Sequence, residues 1–458
     1  MNLILCCDFG STFTKLTAID PQHGEIIAFA RAFTTIDHNV MDGFNIALQE
    51  IEQQCGCSNF DSRLAASSAA GGLKMVSCGL VPDLTAKASR LAAASAGAKV
   101  LKTYSYELTT ADTAEIAHIS PDIILLSGGI DGGNKDVLLR NAAAISQICG
   151  HFCVIVAGNR AAADEAYNLI LSGGKRAVIC ENVMPQFGKL NIEPAKNAIR
   201  ELFIKNIISA KGLDTAQLFM SAEIIPTPLA VFEAAKLLSE GVIGNEGLGG
   251  LMVFDLGGAT TDVYSMADGL PKNPQVYVQG LIEPFAKRTV EGDIGMRYSL
   301  SPMLDAIAGF HQTYGISAED VAAWQAICAA NPSALPANEY AGYKSVEQAL
   351  ATEAIRLSAE RHVGFYESTY TPMGETIIQT GKDLTGVKYV IGTGGAIIGA
   401  TQPTEILRSA VYSPRDLNLL KPQNPKLLLD NEYCLSAMGL LAQKFPQLAL
   451  NMMKRKMI

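Results

Sequence analysis

The feature that most limits what this chain can fold into is a short stretch that occurs twice. Val253–Asp262 reads Val-Phe-Asp-Leu-Gly-Gly-Ala-Thr-Thr-Asp. Apolar residues from Leu251 run into Asp255, a turn of Gly, Ala and Thr follows, and an apolar-polar course resumes through Val263, Tyr264 and Met266. That pattern predicts a β-hairpin with a glycine turn. Gly257 and Gly258 lack a Cβ, so their N–H groups can approach an anion, while Thr260 and Thr261 add hydroxyl donors. Asp255, at the strand end, is placed to hold hydrated Mg²⁺ against phosphate oxygens. Near the N-terminus Leu5-Cys-Cys-Asp8-Phe-Gly10-Ser11-Thr12-Phe-Thr-Lys15-Leu16 repeats the grammar. Aligning Asp8 with Asp255 also aligns Gly10 with Gly257, Ser11 with Gly258 and Thr14 with Thr261. The match fades beyond Thr17 and Tyr264. Two such turns half a chain apart point to a two-lobed phosphate clamp; the plain alternative is a pair of ordinary glycine hairpins.

The rest of the chain sets bounds. Its 458 residues suffice for two or three domains, and 48% apolar against 18% charged residues makes it globular. A net charge of −9 argues against non-specific nucleic-acid binding, so anionic ligands must be held by local groups. The ten cysteines include no C-x-x-C, and free thiols in a reducing cytoplasm are the expectation. No basic segment precedes the first apolar run and no apolar stretch is long enough to span a bilayer, so a soluble cytoplasmic protein with no membrane partner is expected.

Residues 83–185 change character. Leu84–Ala98 is Ala-rich and helical. Apolar strands at 122–126, Cys153–Ala157 and Ala177–Cys180 alternate with helices at Val137–Ile148 and Ala161–Leu171, the pattern of a doubly wound parallel sheet. The turn Ser127-Gly-Gly-Ile-Asp131-Gly-Gly ends the first of these strands, where such sheets bind ligands; it is either a site or a tight turn. Arg63–Val81 reads as strand, small-residue turn and strand. Glu193–Ala210 is an amphipathic helix, and Pro226-Thr-Pro228 opens another, Leu229–Leu238. Residues 301–370 read as mainly helical, with Trp324 in a core. Tyr389–Ile398 gives a strand ending at Gly392-Thr-Gly394-Gly395, whose glycines could let an adenine or an α-phosphate lie on the backbone. The basic tail Asn451–Ile458 is expected to fray.

Together, Asp8–Lys15, Asp255–Asp262 and Gly392–Gly395 resemble the first phosphate loop, second phosphate loop and adenosine loop of the actin/heat-shock-chaperone/sugar-kinase ATPase superfamily. Over nearly its full length the chain is similar to the accessory proteins of adenosylcobalamin-dependent glutamate mutase. Leu126–Gly133, Ile225–Val231, Asp255–Asp262 and Glu291-Gly-Asp-Ile-Gly-Met-Arg297 carry that likeness. The resemblance implies a two-lobed actin-like α/β ATPase fold with a doubly wound insertion, and ATP/ADP with Mg²⁺ in its cleft. Residues 1–82 would form the first lobe, 83–185 the insertion and 186–430 the second lobe, with 431–458 returning to the first. It also implies a chaperone-like partner relation with an adenosylcobalamin-dependent mutase, in which nucleotide loosens the complex so that damaged cobalamin leaves; a homo-oligomer is compatible with it. Carried over, Asp8 and Asp255 would hold Mg²⁺ through water. Ser11, Thr12 and Lys15 would contact β- and γ-phosphates, with Gly10 allowing the turn, and Gly257, Gly258, Thr260 and Thr261 would close from the other side. Gly392, Gly394 and Gly395 would support adenosine. Asp262 would orient the attacking water or serve structure alone. The region that supplies a general base in sugar kinases is not identifiable, which leaves a small-molecule kinase, with Asp131 as its carboxylate, or a nucleotide-binding scaffold as alternatives. The radical-dehydratase activators of this fold use a cysteine-ligated cluster, for which Cys149 and Cys153 are the only suggestion here.

Overall fold

The duplicated hairpins organise two separate sheets. The computed structural model describes residues 3–10, 13–34, 39–68, 73–207, 212–372 and 374–457. It divides into two compact units: Met1–Ala230 with Gly280–Ile282, and Val231–Gln279 with Glu283–Ile458.

In the first unit, β1 (Ile4–Phe9), β2 (Phe13–Asp20) and β3 (Glu25–Phe33) form an antiparallel meander. β4 (Ser62–Ser67) lies parallel to β1, and the short β10 (Ile225–Pro226) parallel to β4, giving the order β10-β4-β1-β2-β3. β1 is buried at every position, as its unbroken apolar run into Asp8 requires of a central strand. The helix Val40–Cys55 covers one face, started by the Asn39 side chain on Met41 N–H and ended by Gly56 in the left-handed region.

The second sheet of this unit is wholly parallel. β5 (Lys74–Gly79), β6 (Lys99–Ser105), β7 (Ile123–Leu126), β8 (Cys153–Val156) and β9 (Arg176–Ile179) take the order β6-β5-β7-β8-β9, a doubly wound arrangement. Alternation along the strands feeds two cores. Ile123, Leu125 and Ile155 pack in one cluster with β1, while Ile124, Leu126, Val154 and Val156 pack in another with the outer helices. β5, expected to belong with the first lobe, opens this sheet instead, and β6 is a strand the sequence reading lacked. From Met75 to Gly79 β5 is buried at every position and shows no alternation, so its sequence does not reveal which sheet it joins. The small-residue turn expected after β4, Ala69–Gly72, lies outside the described residues.

Residues 186–230, expected in the second lobe, belong to the first unit. The helix Glu193–Ile207 buries Ala195, Ile199, Leu202 and Phe203 in the cluster that contains Leu5 and Phe9. Residues 208–210 of that predicted helix lie outside the described residues.

The second unit repeats the first sheet. After a two-residue hairpin of β11 (Gly241–Val242) and β12 (Asn245–Glu246), β13 (Leu251–Leu256) and β14 (Thr261–Met266) pair antiparallel as the pattern predicts. β15 (Val276–Gln279) leaves for another sheet, and β16 (Ala286–Glu291) completes the meander beside β14. β17 (Phe365–Thr371) and β18 (Gly374–Thr380) form an antiparallel hairpin that β15 joins. β19 (Tyr389–Thr393) runs parallel to β13, and β20 (Lys426–Leu429) parallel to β19. The resulting order, β16-β14-β13-β19-β20, has the same connectivity and strand directions as β3-β2-β1-β4-β10. The repeat that fades in sequence after Thr17 and Tyr264 therefore extends over five strands in each unit. The fold is thus α/β, with one mixed five-stranded sheet repeated in each unit and a doubly wound parallel sheet in the first.

The core of the second unit gathers Phe254, Met303, Trp324, Ile355 and Leu407. Residues 431–457, expected to return to the first lobe, lie in the second unit. Lys454 Nζ donates to Asn245 and to the Glu246 carbonyl, which fastens the helix Pro446–Met457 to the β11–β12 hairpin. That helix buries Leu450, Met452, Met453 and Met457, so the tail expected to fray is packed helix instead. Residues 365–370, within the stretch expected to be mainly helical, lie in strand β17; its β-branched Thr369 and aromatic Tyr366 and Tyr370 suit a pleated surface.

Candidate functional site

The first hairpin is closed by a single backbone bond, Gly10 N–H to Phe13 C=O at 3.0 Å. A Cβ on Gly10 would stand 2.5 Å from that carbonyl oxygen, so glycine is demanded here by close approach. Asp8 and Lys15 are cross-strand partners in the register of β1 and β2, which puts carboxylate and ammonium on one face. Asp8 is almost buried, and Thr227 Oγ1 donates to its Oδ1 at 2.6 Å. Thr227 opens the helix Thr227–Glu240, and its bond fixes the carboxylate that sequence reasoning chose for Mg²⁺. Sequence reasoning missed Thr227; its place between Pro226 and Pro228, at a helix start, was the available signal. Ser11 and Thr12 lie outside the described residues.

The second hairpin uses the same bond at the aligned positions: Gly257 N–H donates to Thr260 C=O at 3.0 Å. Asp255 faces Asp262 across it as Asp8 faces Lys15. Asp255, Gly257, Gly258 and Thr260 are half-buried and open to a ligand, whereas Thr261 is buried. The Thr261 hydroxyl donates inward to Ile294 C=O at 3.0 Å, so it locks the turn. The carbonyls of Gly257 and Gly258 are also taken: Met296 N–H donates to the first, and Arg297 and Tyr298 N–H to the second. Ser299 Oγ donates to Ala259 C=O at 2.6 Å. The stretch Glu291–Arg297, noted in sequence only as part of the family likeness, thus backs the loop.

Asp262 carries a partner that sequence reasoning did not find. Arg288, on β16, is buried and sends Nε at 2.8 Å and Nη2 at 2.5 Å to Asp262 Oδ1. Thr260 Oγ1 donates to Oδ2 at 3.4 Å. Burial pushes the neighbouring Tyr264 phenol far up, with the Asp262 charge acting in the same direction. The geometry gives Asp262 a role in holding β14 to β16.

The third loop reaches the second through strand pairing, because parallel β19 sets Thr393 opposite Asp255. Its three glycines divide in role. A Cβ at Gly392 would enter the Leu407 side chain, and one at Gly394 (φ +100°) would collide with the Leu256 carbonyl. Those two serve packing. Nothing lies within 4 Å of a Cβ built on Gly395, so its backbone is open to a ligand.

Among the described residues no group of three or more His, Cys, Asp or Glu side chains could hold a metal ion, so a cation here needs water and ligand oxygens to complete its shell. Isolated hard carboxylates beside glycine turns suit a hydrated Mg²⁺ carried on phosphate. The Ser127–Asp131 turn is braced from within. Asp131 Oδ1 accepts Arg160 N–H at 2.9 Å and Asn182 Nδ2 at 3.0 Å, and Ser127 Oγ donates to the Cys78 carbonyl. All ten cysteines are free; Cys149 is exposed and Cys153 is buried in β8. Among the described residues no helix is long and apolar enough to cross a membrane.

The model of the family described as MutL protein matches residues 4–457. The chain belongs to that family. It is 45% identical over 463 residues to Protein MutL of Clostridium tetanomorphum, covering the whole of both chains. Solved structures give weaker likenesses. A nucleotide-free acetone carboxylase structure matches at 12% identity, over 96% of this chain and 70% of that one, with a TM-score of 0.42. The activator of 2-hydroxyisocaproyl-CoA dehydratase from Clostridium difficile with bound ADPNP matches at 10% identity, over 99% and 97%, with a TM-score of 0.32.

Proposed function

We propose that this MutL-family chain is a Mg²⁺-dependent ATPase acting as a chaperone-like reactivating factor for an adenosylcobalamin-dependent mutase. The observation that carries the ATPase reading is the duplication itself. Two sheets of one topology each carry an Asp at the last position but one of the central strand, turn through a glycine closed by the same backbone bond, and return with a polar residue facing the Asp. Bound Mg·ATP supplies the scissile phosphoanhydride and a divalent charge. Asp8 and Asp255 are the carboxylates that would hold Mg²⁺ through its water, and the Thr227 hydroxyl bond keeps Asp8 aimed. Lys15 would neutralise phosphate charge, and Ser11 and Thr12 would add hydroxyl donors. Gly257, Gly258 and Thr260 offer donors from a turn that cannot collapse, because its carbonyls are engaged behind it. Gly395 takes adenosine on its open backbone. Such a site works by positioning and charge neutralisation.

The mutase as partner is supported by family membership and by the stretches that resemble glutamate mutase accessory proteins. For Asp131, the carboxylate of the kinase alternative, the bonds that Oδ1 accepts from Arg160 N–H and Asn182 Nδ2 support a bracing role. The test is phosphate release from Mg·ATP with and without a cobalamin mutase blocked by hydroxocobalamin. We expect stimulation by the blocked mutase and recovered mutase activity on adding adenosylcobalamin. Hydrolysis indifferent to the mutase removes the partner from this reading.

A further inference from the structure

Arg297 sits directly behind the second loop, and three elements converge on its side chain. Nη2 meets Glu347, in the first turn of the helix Lys344–His362, at 2.8 Å. Nε donates to Ala334 C=O at 3.2 Å and Nη1 to Met296 C=O at 2.5 Å. The guanidinium also lies 5.5 Å from the ring centroid of Trp324, on the helix Ala318–Ala330, whose Nε1 donates to the other oxygen of Glu347 at 2.7 Å. Arg297 and Glu347 side chains are each only 8% exposed.

A buried ion pair is a poor source of stability, because desolvation cancels much of its attraction. What this one supplies is a fixed place for the arginine. The same residue donates its N–H to Gly258 C=O at 2.8 Å, and its Cβ and Cγ would lie 3.5 Å from a Cβ built on Gly258. This firmly held side chain therefore belongs to the residue that touches the middle of the loop.

We infer that Arg297, locked by Glu347 and Trp324, is a positioning residue for the second phosphate loop. It holds the Gly258 carbonyl toward residues 296–298, which keeps the loop N–H groups aligned for phosphate. This rests on the nucleotide reading of the loop. Lys replaces the charge without the three-way fork, so Arg297→Lys and Arg297→Met both loosen the loop.

The experiment uses the full chain without nucleotide first: amide hydrogen exchange of residues 296–298, whose N–H groups are the donors to the loop. Steady-state kinetics with Mg·ATP follows. Both variants are expected to exchange about tenfold faster there, and to raise KM for Mg·ATP about tenfold with a smaller change in kcat. Lys421→Met is the control. It removes another buried cation, paired with Asp416 at 2.9 Å and Glu360 at 3.4 Å, both outside the loop. It is expected to lower the melting temperature while leaving exchange at 296–298 and KM as in wild type. Wild-type exchange at 296–298 in Arg297→Lys and Arg297→Met overturns the inference, as does an equal rise of KM in the control. If the wild-type chain binds no ATP, the nucleotide reading fails by itself, and the exchange comparison still decides whether Arg297 orders the loop.

Discussion

Asp262→Asn separates a holding role for this residue from a chemical one. The substitution keeps the side chain's shape and removes its charge, which leaves the Arg288 guanidinium buried at 2% exposure without its counter-ion. Breaking one partner of a buried pair costs about 3–5 kcal/mol, far more than a surface pair. In a unit of this size each kcal/mol shifts the melting temperature by about 2–4 °C, so the variant should melt roughly 6–20 °C below wild type. Replacing both partners, Asp262→Asn with Arg288→Met, removes the stranded charge and should recover most of that loss. Calorimetry on the three proteins reads this directly, and ATPase activity of the double variant then reports on loss of the pair without the stranded charge. An Asp262→Asn protein that melts within about 2 °C of wild type but has lost hydrolysis refutes the reasoning, because it assigns Asp262 to chemistry rather than to the Arg288 pair.

The glycines of the third loop should respond in opposite ways. Gly394→Ala forces a Cβ against the Leu256 carbonyl at positive φ and should cost at least about 1 kcal/mol of stability, whereas Gly395→Ala should leave stability within about 0.5 kcal/mol and weaken ATP binding. Melting and nucleotide titration check both, and wild-type ATP affinity in Gly395→Ala removes adenosine from this backbone. Lys382 gives a pH prediction. Burial lowers its ammonium from 10.5 to about 7, helped by Lys287 and opposed by Glu283 and Asp268, while Nζ donates to the Pro284 and Phe285 carbonyls. The unfolded chain holds that proton more tightly, so stability should rise with pH between about 7 and 10.5. Lys382→Met should flatten that rise in a melting series, and an unchanged slope contradicts the assignment.

The two glycine hairpins were legible in the sequence, and the rest of the scaffold was legible only where one physical rule dominates. Asp8–Lys15 and Asp255–Asp262 announce themselves because a glycine turn at a strand end tolerates few residue types. The strands around 123 and 153 announce themselves because both faces of a parallel sheet's central strands demand apolar residues. The five-strand repeat was not legible, since packing asks only for apolar side chains of suitable volume, and many sequences satisfy it. β5 is such a case: a strand buried at every position from Met75 to Gly79 carries no label for its neighbours. Arg288, Thr227 and the donors at 296–298 were invisible for a different reason. Each acts across a long separation in the chain, Thr227 on Asp8 above all, and no local period records a long-range hydrogen bond. The Ser127–Asp131 turn, open between site and structure in sequence, is braced by Asn182 and the Arg160 backbone, partners that only the fold brings near.

The measurement that bears most directly on the central claim is Mg²⁺-dependent phosphate release from ATP by wild type, Asp8→Asn and Asp255→Asn, with melting temperature recorded for each. Wild-type turnover that falls to background in both variants while both stay folded is the predicted result. Turnover retained in both folded variants would contradict the assignment of the two hairpins as the nucleotide site.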